Sequence, residues 1–205
     1  MQNLPIPLIV DLTGTFVFGL SGAMLAVRRK LDIFGVVVLA LATALAGGAI
    51  RDVLLGAQPP ATLQDGRFLA AALGSALVAF LAHPVIERLN RPVMILDAIG
   101  LGVFAVSGCS KALAYDLGPG AAMLLGVISG VGGGALRDIL VAETPRVLHE
   151  ELYAVAALVG AGLVALGSVM GWQADLIALS AVSLTFVIRV LSVRFNISAP
   201  RAPWS

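Results

Sequence analysis

Apolar stretches separated by short polar breaks run along nearly the whole chain. Seven of them have about the 20 residues that a helix needs to cross a bilayer. They cover about residues 5–27, 34–56, 67–87, 93–115, 118–142, 151–171 and 175–194. The breaks are rich in charge, glycine and proline, as in RRKLD after the first stretch and ERLNRP after the third. This pattern predicts an all-α, polytopic membrane protein with seven transmembrane helices in a single domain over residues 1–205.

The composition supports a membrane protein and argues against several other classes. Hydrophobic residues make up 59% of the chain and charged residues 12%, with a mean hydropathy of +1.00. A soluble domain has about a quarter charged residues. The net charge of +1, with no basic stripe beyond residues 28–30, argues against a nucleic-acid partner.

The chain carries little that enzyme or metal chemistry would need. Cys109 is the only cysteine, so the sequence has no disulfide framework and no metal-thiolate cluster. The two histidines, His83 and His149, lie near span ends without a cluster of cysteine or acidic residues at ligand spacing. We therefore expect no enzymatic activity, no cofactor and no structural metal.

Lysine and arginine are distributed unevenly among the connections. One side of the membrane would carry Arg28, Arg29, Lys30, Arg88, Arg91, Arg146, Arg194 and Arg201. The other side would carry mainly Arg67, with Arg51 and Lys111 near span ends. By the positive-inside rule, this bias predicts an outside N-terminus and a cytoplasmic C-terminus.

The sequence matches itself, without a gap, when it is shifted by 86 positions. The matched pairs include Asp11/Asp97, Gly14/Gly100, Phe18/Phe104, Ser21/Ser107, Gly47/Gly133, Arg51/Arg137, Asp52/Asp138 and Pro59/Pro145. Each copy holds three spans, over about residues 5–87 and 93–171. Because three is odd, the second copy must enter the membrane from the opposite face, which predicts a 3+3 inverted repeat. This arrangement recurs in proteins that move solutes across membranes, and the helix at about 175–194 lies outside it.

The second span of each copy carries glycines and then Arg-Asp, as in GGAIRD at residues 47–52 and GGGALRD at residues 132–138. Glycine costs about 1 kcal/mol relative to alanine inside a helix. One interpretation is a kink or break beside a solute path, at Gly47, Gly48, Gly132, Gly133 and Gly134, because irregular backbone at membrane depth is tolerated where it lines water. The alternative is close helix packing through small residues.

Two hydroxyl residues occupy equivalent positions four residues before these glycines. Thr43 and Ser129 lie on the same helical face as Gly47 and Gly133, respectively. They are candidates for lining a path, because a hydroxyl can replace part of an ion's hydration shell. The alternative is a hydroxyl bonded back to its own helix.

The Arg-Asp pairs are consecutive, so on a helix the two side chains point about 100° apart and are not expected to face each other. Ionisable groups within spans pair with one another or face water. The topology predicts that each arginine pairs with the aspartate of the preceding span, Asp11 with Arg51 and Asp97 with Arg137, with Asp52 and Asp138 as associated carboxylates. The alternative is that these charges snorkel to the interface.

Lys111 breaks the symmetry of the repeat, because Leu25 stands at the equivalent position of the first copy. A lone lysine near a span end commonly snorkels to water. A lysine that faces a conduction path would instead respond to voltage. The sequence leaves both interpretations of Lys111 open.

The duplicated GG-x-x-R-D at the end of the second span of each three-span copy, together with a seventh span, resembles the trimeric intracellular cation (TRIC) channel family. The resemblance is to its short prokaryotic members, whose domain is also described as a glycine transporter. It implies a homotrimer in the prokaryotic inner membrane, in contact with membrane lipid. Each protomer would carry its own pore for potassium and other monovalent cations, with potassium bound only transiently. The pore would run between the second and fifth helices, kinked at their glycines, with Lys111 in gating.

The sequence supports more than one transport function. The first hypothesis is a potassium-permeable channel, and the alternative is a secondary transporter of a small solute such as glycine, because inverted repeats serve both classes. A membrane scaffold without transport would leave the paired intramembrane charges without a purpose.

Overall fold

The computed structural model describes residues 6–82, 84, 92–149 and 152–197, and all regular structure in these residues is α-helical. The helices are α1 (Ile6–Arg28), α2 (Ile33–Leu54), α3 (Ala61–Gln64), α4 (Gly66–Leu81), α5 (Pro92–Ala114), α6 (Pro119–Leu140), α7 (Arg146–His149), α8 (Tyr153–Met170) and α9 (Ala174–Phe195). Six of them, α1, α2, α5, α6, α8 and α9, are long and apolar enough to cross a membrane, and α4 is a shorter apolar helix. The prediction of an all-α polytopic membrane protein is confirmed.

The predicted third span corresponds to α4, which ends at Leu81. Most of that span beyond Ala82 lies outside the described residues. The same holds for His83 and for three of the basic positions used to predict orientation, at 88, 91 and 201.

Several helices begin at residues whose type favours a helix N-terminus. Asp32 accepts a 2.8 Å hydrogen bond from Gly35 N at the start of α2, as an N-cap residue does. Pro119 occupies the first turn of α6, where its missing N–H costs no helical hydrogen bond. Asp65 caps α4 and accepts hydrogen bonds from the Arg67 side chain, which lower the pKa of its carboxyl. Asp65 therefore stays ionised while it caps the helix.

The two copies of the repeat pack against each other through reciprocal contacts. Phe18 of α1 and Phe104 of α5 are equivalent residues, and their rings stack with centroids 5.4 Å apart. A Cβ atom on Gly100 would collide with the Phe18 ring, and one on the equivalent Gly14 would collide with Val103 and contact the Phe104 ring at 3.4 Å. Contacts that exchange equivalent residues are the signature of a two-fold relation, so the pseudo-symmetry axis passes between α1 and α5.

Helices α2 and α6 also contact each other through equivalent residues, and they cross with their backbones in contact. A Cβ atom at Gly47 would collide with the carbonyl oxygen of Ser129, and one at Gly133 would collide with the carbonyl oxygen of Thr43. Only glycine permits this approach at either position. Outside the repeat, α9 packs on α8 and α5.

Candidate functional site

The first of two buried polar clusters is centred on Arg51, near the end of α2. Arg51 Nε donates a 2.8 Å hydrogen bond to Asp52 Oδ1, and Arg51 Nη1 lies 3.7 Å from Asp11 Oδ2 of α1. Lys111, from the end of α5, donates a 2.8 Å hydrogen bond to the same Asp52 Oδ1. Arg51 and Asp52 are buried, whereas the side chain of Asp11 is 19% exposed and that of Lys111 is 27% exposed. We call these four residues the Arg51 network.

The second cluster is centred on the equivalent arginine, Arg137, near the end of α6. Arg137 Nη1 donates hydrogen bonds of 2.6 Å to Asp97 Oδ1 and 2.8 Å to Ser21 Oγ. Its Nε and Nη2 donate to Asp138 Oδ1 at 2.9 and 2.8 Å. All four side chains are essentially inaccessible to solvent. We call Ser21, Asp97, Arg137 and Asp138 the Arg137 network.

The structure thus brings together the two aspartate–arginine pairs expected from the topology, Asp11 with Arg51 and Asp97 with Arg137. It also overturns the argument that consecutive Arg and Asp residues would not meet. Each arginine bonds the aspartate that directly follows it. The 100° separation applies to the Cβ atoms, and the long arginine stem with its planar fork of donors spans that angle.

The second oxygen of each of these aspartates secures the chain after the helix. Asp52 Oδ2 accepts a 2.9 Å hydrogen bond from Ala61 N, the first residue of α3. Asp138 Oδ2 accepts a 3.0 Å hydrogen bond from Arg146 N, the first residue of α7. Each Asp therefore joins the end of a long helix to the short helix that follows it, while sharing its charge with an arginine.

Lys111 is bound to a carboxylate of the opposite repeat. Its place beside a conduction path and its role in gating stay predictions. Its ion pair with Asp52 joins the end of α5 to the end of α2 and is still partly open to solvent.

The hydroxyl candidates lie at the α2–α6 crossing, fully buried. Thr43 Oγ1 donates a 2.6 Å hydrogen bond to Leu39 O of its own helix, which is the back-bonded alternative. Thr43 packs against Gly22, and its equivalent Ser129 packs against Gly108. The hydroxyl of Ser129 has no hydrogen-bond partner among the described residues. A pore-lining role for either residue stays a prediction.

The glycines of α2 and α6 provide close packing. Both helices are continuous through them, so the chain is not broken there. Gly47 and Gly133 form the crossing, and Gly132 faces Ile50 of α2. A Cβ atom at Gly134 would lie 2.7 Å from Tyr153 Oη and 3.3 Å from Asp97 Oδ1, so this glycine makes room for the Arg137 network.

Gly48, the equivalent of Gly134, lies in a roomier place, with Thr62 Cγ2 3.5 Å from a Cβ built on it. Packing alone accounts for Gly47, Gly133 and Gly134. A kink without loss of helical structure at these glycines stays a prediction.

Sequence reasoning missed two residues beside the Arg137 network. Tyr153 of α8 is buried with its hydroxyl near Asp97. Arg189 of α9 is also buried, with its guanidinium carbon 4.8 Å from the centre of the Tyr153 ring. The signal for Arg189 was present, because an arginine within a predicted span is itself a candidate functional residue. Nothing in the sequence pointed to Tyr153.

The fold and the two networks define a polytopic helical membrane protein built from an inverted repeat. The sequence model of the glycine transporter family matches residues 8–84 and 94–168, segments that begin 86 positions apart. The UPF0126 membrane protein SCO4104 of Streptomyces coelicolor is 48% identical over 205 residues, covering 99% of this chain and 94% of the relative. The UPF0126 inner membrane protein YadS of Escherichia coli K12 is 36% identical over 194 residues, covering 93% of each.

A solved structure carries the comparison further. The TRIC trimeric intracellular cation channel orthologue from Rhodobacter sphaeroides superimposes with a TM-score of 0.89 at 33% identity, covering 94% of this chain and 99% of that one. The chain belongs to the glycine transporter family and is a prokaryotic member of the TRIC channel family. The resemblance found in the sequence is confirmed, and these neighbours are channels and membrane proteins, not enzymes.

Proposed function

We propose that the protein is a passive channel for monovalent cations, chiefly potassium, that assembles as a homotrimer with one pore in each protomer. The observation that carries the proposal is the close likeness, at TM-score 0.89, to a solved TRIC cation channel. A second solved structure, described as the structural basis for conductance through TRIC cation channels, superimposes with a TM-score of 0.86 at 33% identity.

The proposed path runs between α2 and α6, past Gly47, Gly48 and Gly132–Gly134. Because Gly47 and Gly133 bring the two backbones into contact, a path there is closed until the helices part. Parting would uncover the carbonyl oxygens of Thr43 and Ser129. Carbonyl oxygens replace the water around a potassium ion as it loses its hydration shell. We therefore propose that Thr43 and Ser129 line the path mainly with their backbone carbonyl oxygens and secondarily with their hydroxyls.

The two networks fit the proposal as anchors for the moving helices. Each network fixes the end of α2 or α6 through an arginine and the aspartate that follows it, whose second oxygen accepts a hydrogen bond from the next short helix, at opposite ends of the crossing. Within the Arg51 network, Lys111 is the proposed gating residue. Moving one charge across the full membrane potential is worth about 2.3 kcal/mol per 100 mV. Release of Lys111 from Asp52 would therefore be voltage-sensitive in proportion to the part of the field that Lys111 crosses.

The proposed setting is the prokaryotic inner membrane, with the N-terminus outside, the C-terminus in the cytoplasm and lipid around the trimer. The bias of basic residues supports the orientation, and the relative YadS is named an inner membrane protein. The proposed single domain spans residues 1–205, with repeats at about 5–87 and 93–171 and an extra helix at about 175–194.

A secondary transporter of a small solute such as glycine is the second candidate. It is favoured by the description of the family whose model matches both copies of the repeat. Two packed halves around a pseudo-two-fold axis also suit alternating access.

Proteoliposomes separate the two candidates. Purified full-length protein should release trapped potassium down its gradient, and it should give no saturable, concentrative uptake of radiolabelled glycine. Gly133→Ala, which places a methyl group against the Thr43 carbonyl, should change the potassium flux severalfold. Gly120→Ala, in open space on the same helix, is the matched control and should leave it unchanged. Saturable glycine uptake without potassium release would reverse the ranking.

A further inference from the structure

An ion pair outside the two networks joins the end of α1 to the chain that follows α6. Arg29 follows the last residue of α1, Glu143 lies three residues beyond the last residue of α6, and their side chains form a salt bridge. Both side chains are accessible to solvent, at 50% for Arg29 and 31% for Glu143. The pair crosses from the first copy of the repeat to the second.

This pair and the Lys111–Asp52 pair join equivalent helices. Lys111–Asp52 joins the end of α5 to the end of α2, and the 86-position shift relates these two helices to α1 and α6. At the positions that the shift relates to the exposed pair stand Tyr115 and Ala57, which carry no charge. The exposed pair is therefore not a copy made by the repeat. With different residues, it does for the end of α6 what Lys111 does for the end of α2.

The end of α6 beside Glu143 has a backbone conformation that favours glycine. Helices α2 and α6 end in the same hydrogen-bonded turn, in which one residue has a positive φ. In α2 that residue is Gly56, with a φ of +70°, and in α6 it is the equivalent Ala142, with a φ of +57°. This conformation is costly for alanine, because its Cβ crowds the following carbonyl oxygen. Ala142 is also exposed, so its methyl group gains little packing that would offset the strain.

We propose that Arg29 and Glu143 are positioning residues for gating: their ion pair holds the strained end of α6 beside α1, and its opening lets that end unwind so that α6 can part from α2. The proposal rests on the proposed path between α2 and α6. Because Glu143 directly follows Ala142, loss of the ion pair removes a constraint on the strained residue itself. Exposed ion pairs are screened by salt. A rise in ionic strength on this face, which is cytoplasmic in the proposed orientation, would therefore favour release of α6.

Hydrogen exchange in the purified full-length protein tests the helix end and needs no transport activity. Glu143→Gln and Arg29→Gln should each speed amide exchange in the last turn of α6 severalfold, because each breaks the ion pair. The matched control is Lys30→Gln, which removes an exposed cation that forms no ion pair among the described residues, and it should leave exchange unchanged. The double variant Arg29→Glu/Glu143→Arg should restore slow exchange, because it rebuilds the pair with the charges swapped. Fast exchange in the swapped variant, or equally fast exchange in Lys30→Gln, would overturn the proposal.

Ala142→Gly tests the strain. It should slow exchange at the end of α6 and restore protection in the Glu143→Gln protein, because glycine adopts a positive φ without steric cost. Ala135→Gly, inside the same helix, is the control and should not restore protection, since glycine there weakens the helix. If Ala142→Gly restores no more protection than Ala135→Gly, the ion pair does not hold a strained helix end and the proposal is wrong.

The salt dependence of exchange tests the link to ionic strength. Raising potassium chloride from about 0.05 M to about 0.5 M should speed exchange at the end of α6 in the wild type, because the shorter Debye length weakens the exposed pair. The Glu143→Gln protein has no pair to screen, so its exchange there should not change. A wild type as insensitive to salt as Glu143→Gln would overturn the proposed response.

Potassium release from proteoliposomes that contain the same variants tests the gating role. Glu143→Gln should release potassium severalfold faster than the wild type, Ala142→Gly more slowly, and Lys30→Gln at the wild-type rate. A wild-type rate in Glu143→Gln would overturn this proposal alone. Absence of release from every variant and from the wild type would instead overturn the channel proposal, so the two failures are distinguishable.

Discussion

The Arg51 and Arg137 networks descend from the same sequence signature and now differ in tightness. Arg137 lies 2.6 Å from Asp97, and both side chains are inaccessible to solvent. In the Arg51 network, Arg51 Nη1 lies 3.7 Å from Asp11 Oδ2, and the side chain of Asp11 is 19% exposed. Lys111, the second cation of this network, is partly exposed too. The comparison teaches that two equivalent anchors in an inverted repeat can differ in tightness, one sealed from solvent and the other partly open to it.

The surroundings of the equivalent serines show the same difference. Ser21 accepts a hydrogen bond from Arg137 and thereby joins α1 to α6. Its equivalent, Ser107 of α5, has no hydrogen-bond partner for its hydroxyl among the described residues, and neither does Arg51 Nη1. The Arg51 network therefore has fewer internal contacts than the Arg137 network.

The largest expected effect is on the Arg137 network. Asp97→Asn removes the charge that faces Arg137 in a fully buried place, and we expect a loss of about 3–5 kcal/mol in unfolding free energy. Asp11→Asn, at the equivalent position, should cost about 1 kcal/mol or less, because that pair is longer and partly solvated. Chemical denaturation of the two variants side by side checks this. Equal losses would contradict the distinction between a tight and a loose network.

The helix crossing should be the next most sensitive feature. Gly133→Ala and Gly47→Ala each push a methyl group against a backbone carbonyl that cannot turn away. We expect each to cost about 1–3 kcal/mol, as overpacking does. Gly48→Ala, where the nearest atom lies 3.5 Å from the new Cβ, and Gly120→Ala, in open space, should leave stability unchanged or raise it. Chemical denaturation of the four variants gives their unfolding free energies. If Gly133→Ala proved as stable as Gly120→Ala, the close backbone contact between α2 and α6 would be contradicted.

Lys111→Ala should affect function more than stability. Its ion pair is partly exposed, so the unfolding free energy should fall by about 1 kcal/mol. If release of Lys111 from Asp52 is the voltage-dependent step, the open probability of Lys111→Ala should vary less steeply with voltage than that of the wild type. Lys111→Arg, which keeps the charge, should retain the steepness. Single-channel recordings at membrane potentials between about −100 and about +100 mV provide the comparison. An unchanged voltage dependence in Lys111→Ala would exclude Lys111 from gating.

The smallest effect is expected at Thr43. Its side chain is fully buried and its hydroxyl donates to Leu39 O within α2, so no ion reaches the hydroxyl oxygen in this conformation. Thr43→Val keeps the shape and should change single-channel conductance by less than about twofold, because a helical back-bond contributes little. A loss of conduction in Thr43→Val would instead assign the ion contact to the hydroxyl.

Much of the fold could be predicted because each signal was local or repeated. The apolar stretches fixed the helices, and the register of Asp11, Arg51, Asp97 and Arg137 across the 86-residue shift indicated which charges share a depth. The equivalence of Gly47 and Gly133 likewise pointed to one feature shared by α2 and α6.

The remaining features are side-chain contacts whose distances cannot be read from the periodicity of the sequence. The bond from Arg51 to Asp52 depends on how far an arginine stem can fold back. The partner of Lys111 lies in the opposite repeat, and Arg189 lies over the ring of a tyrosine of another helix. The glycines were ambiguous for the same reason, because only the position of the facing backbone distinguishes a packing contact from a break.

Potassium permeation through the proposed path between α2 and α6 is the central claim, and the reversal potential of single-channel currents tests it most directly. Purified wild-type protein is placed in a planar bilayer with a potassium chloride gradient, and discrete current steps are recorded. We predict steps that reverse close to the potassium equilibrium potential, and a changed step size in Gly133→Ala but not in Gly120→Ala. A bilayer that contains the protein and shows no steps, or steps that reverse close to the chloride equilibrium potential, would contradict the account.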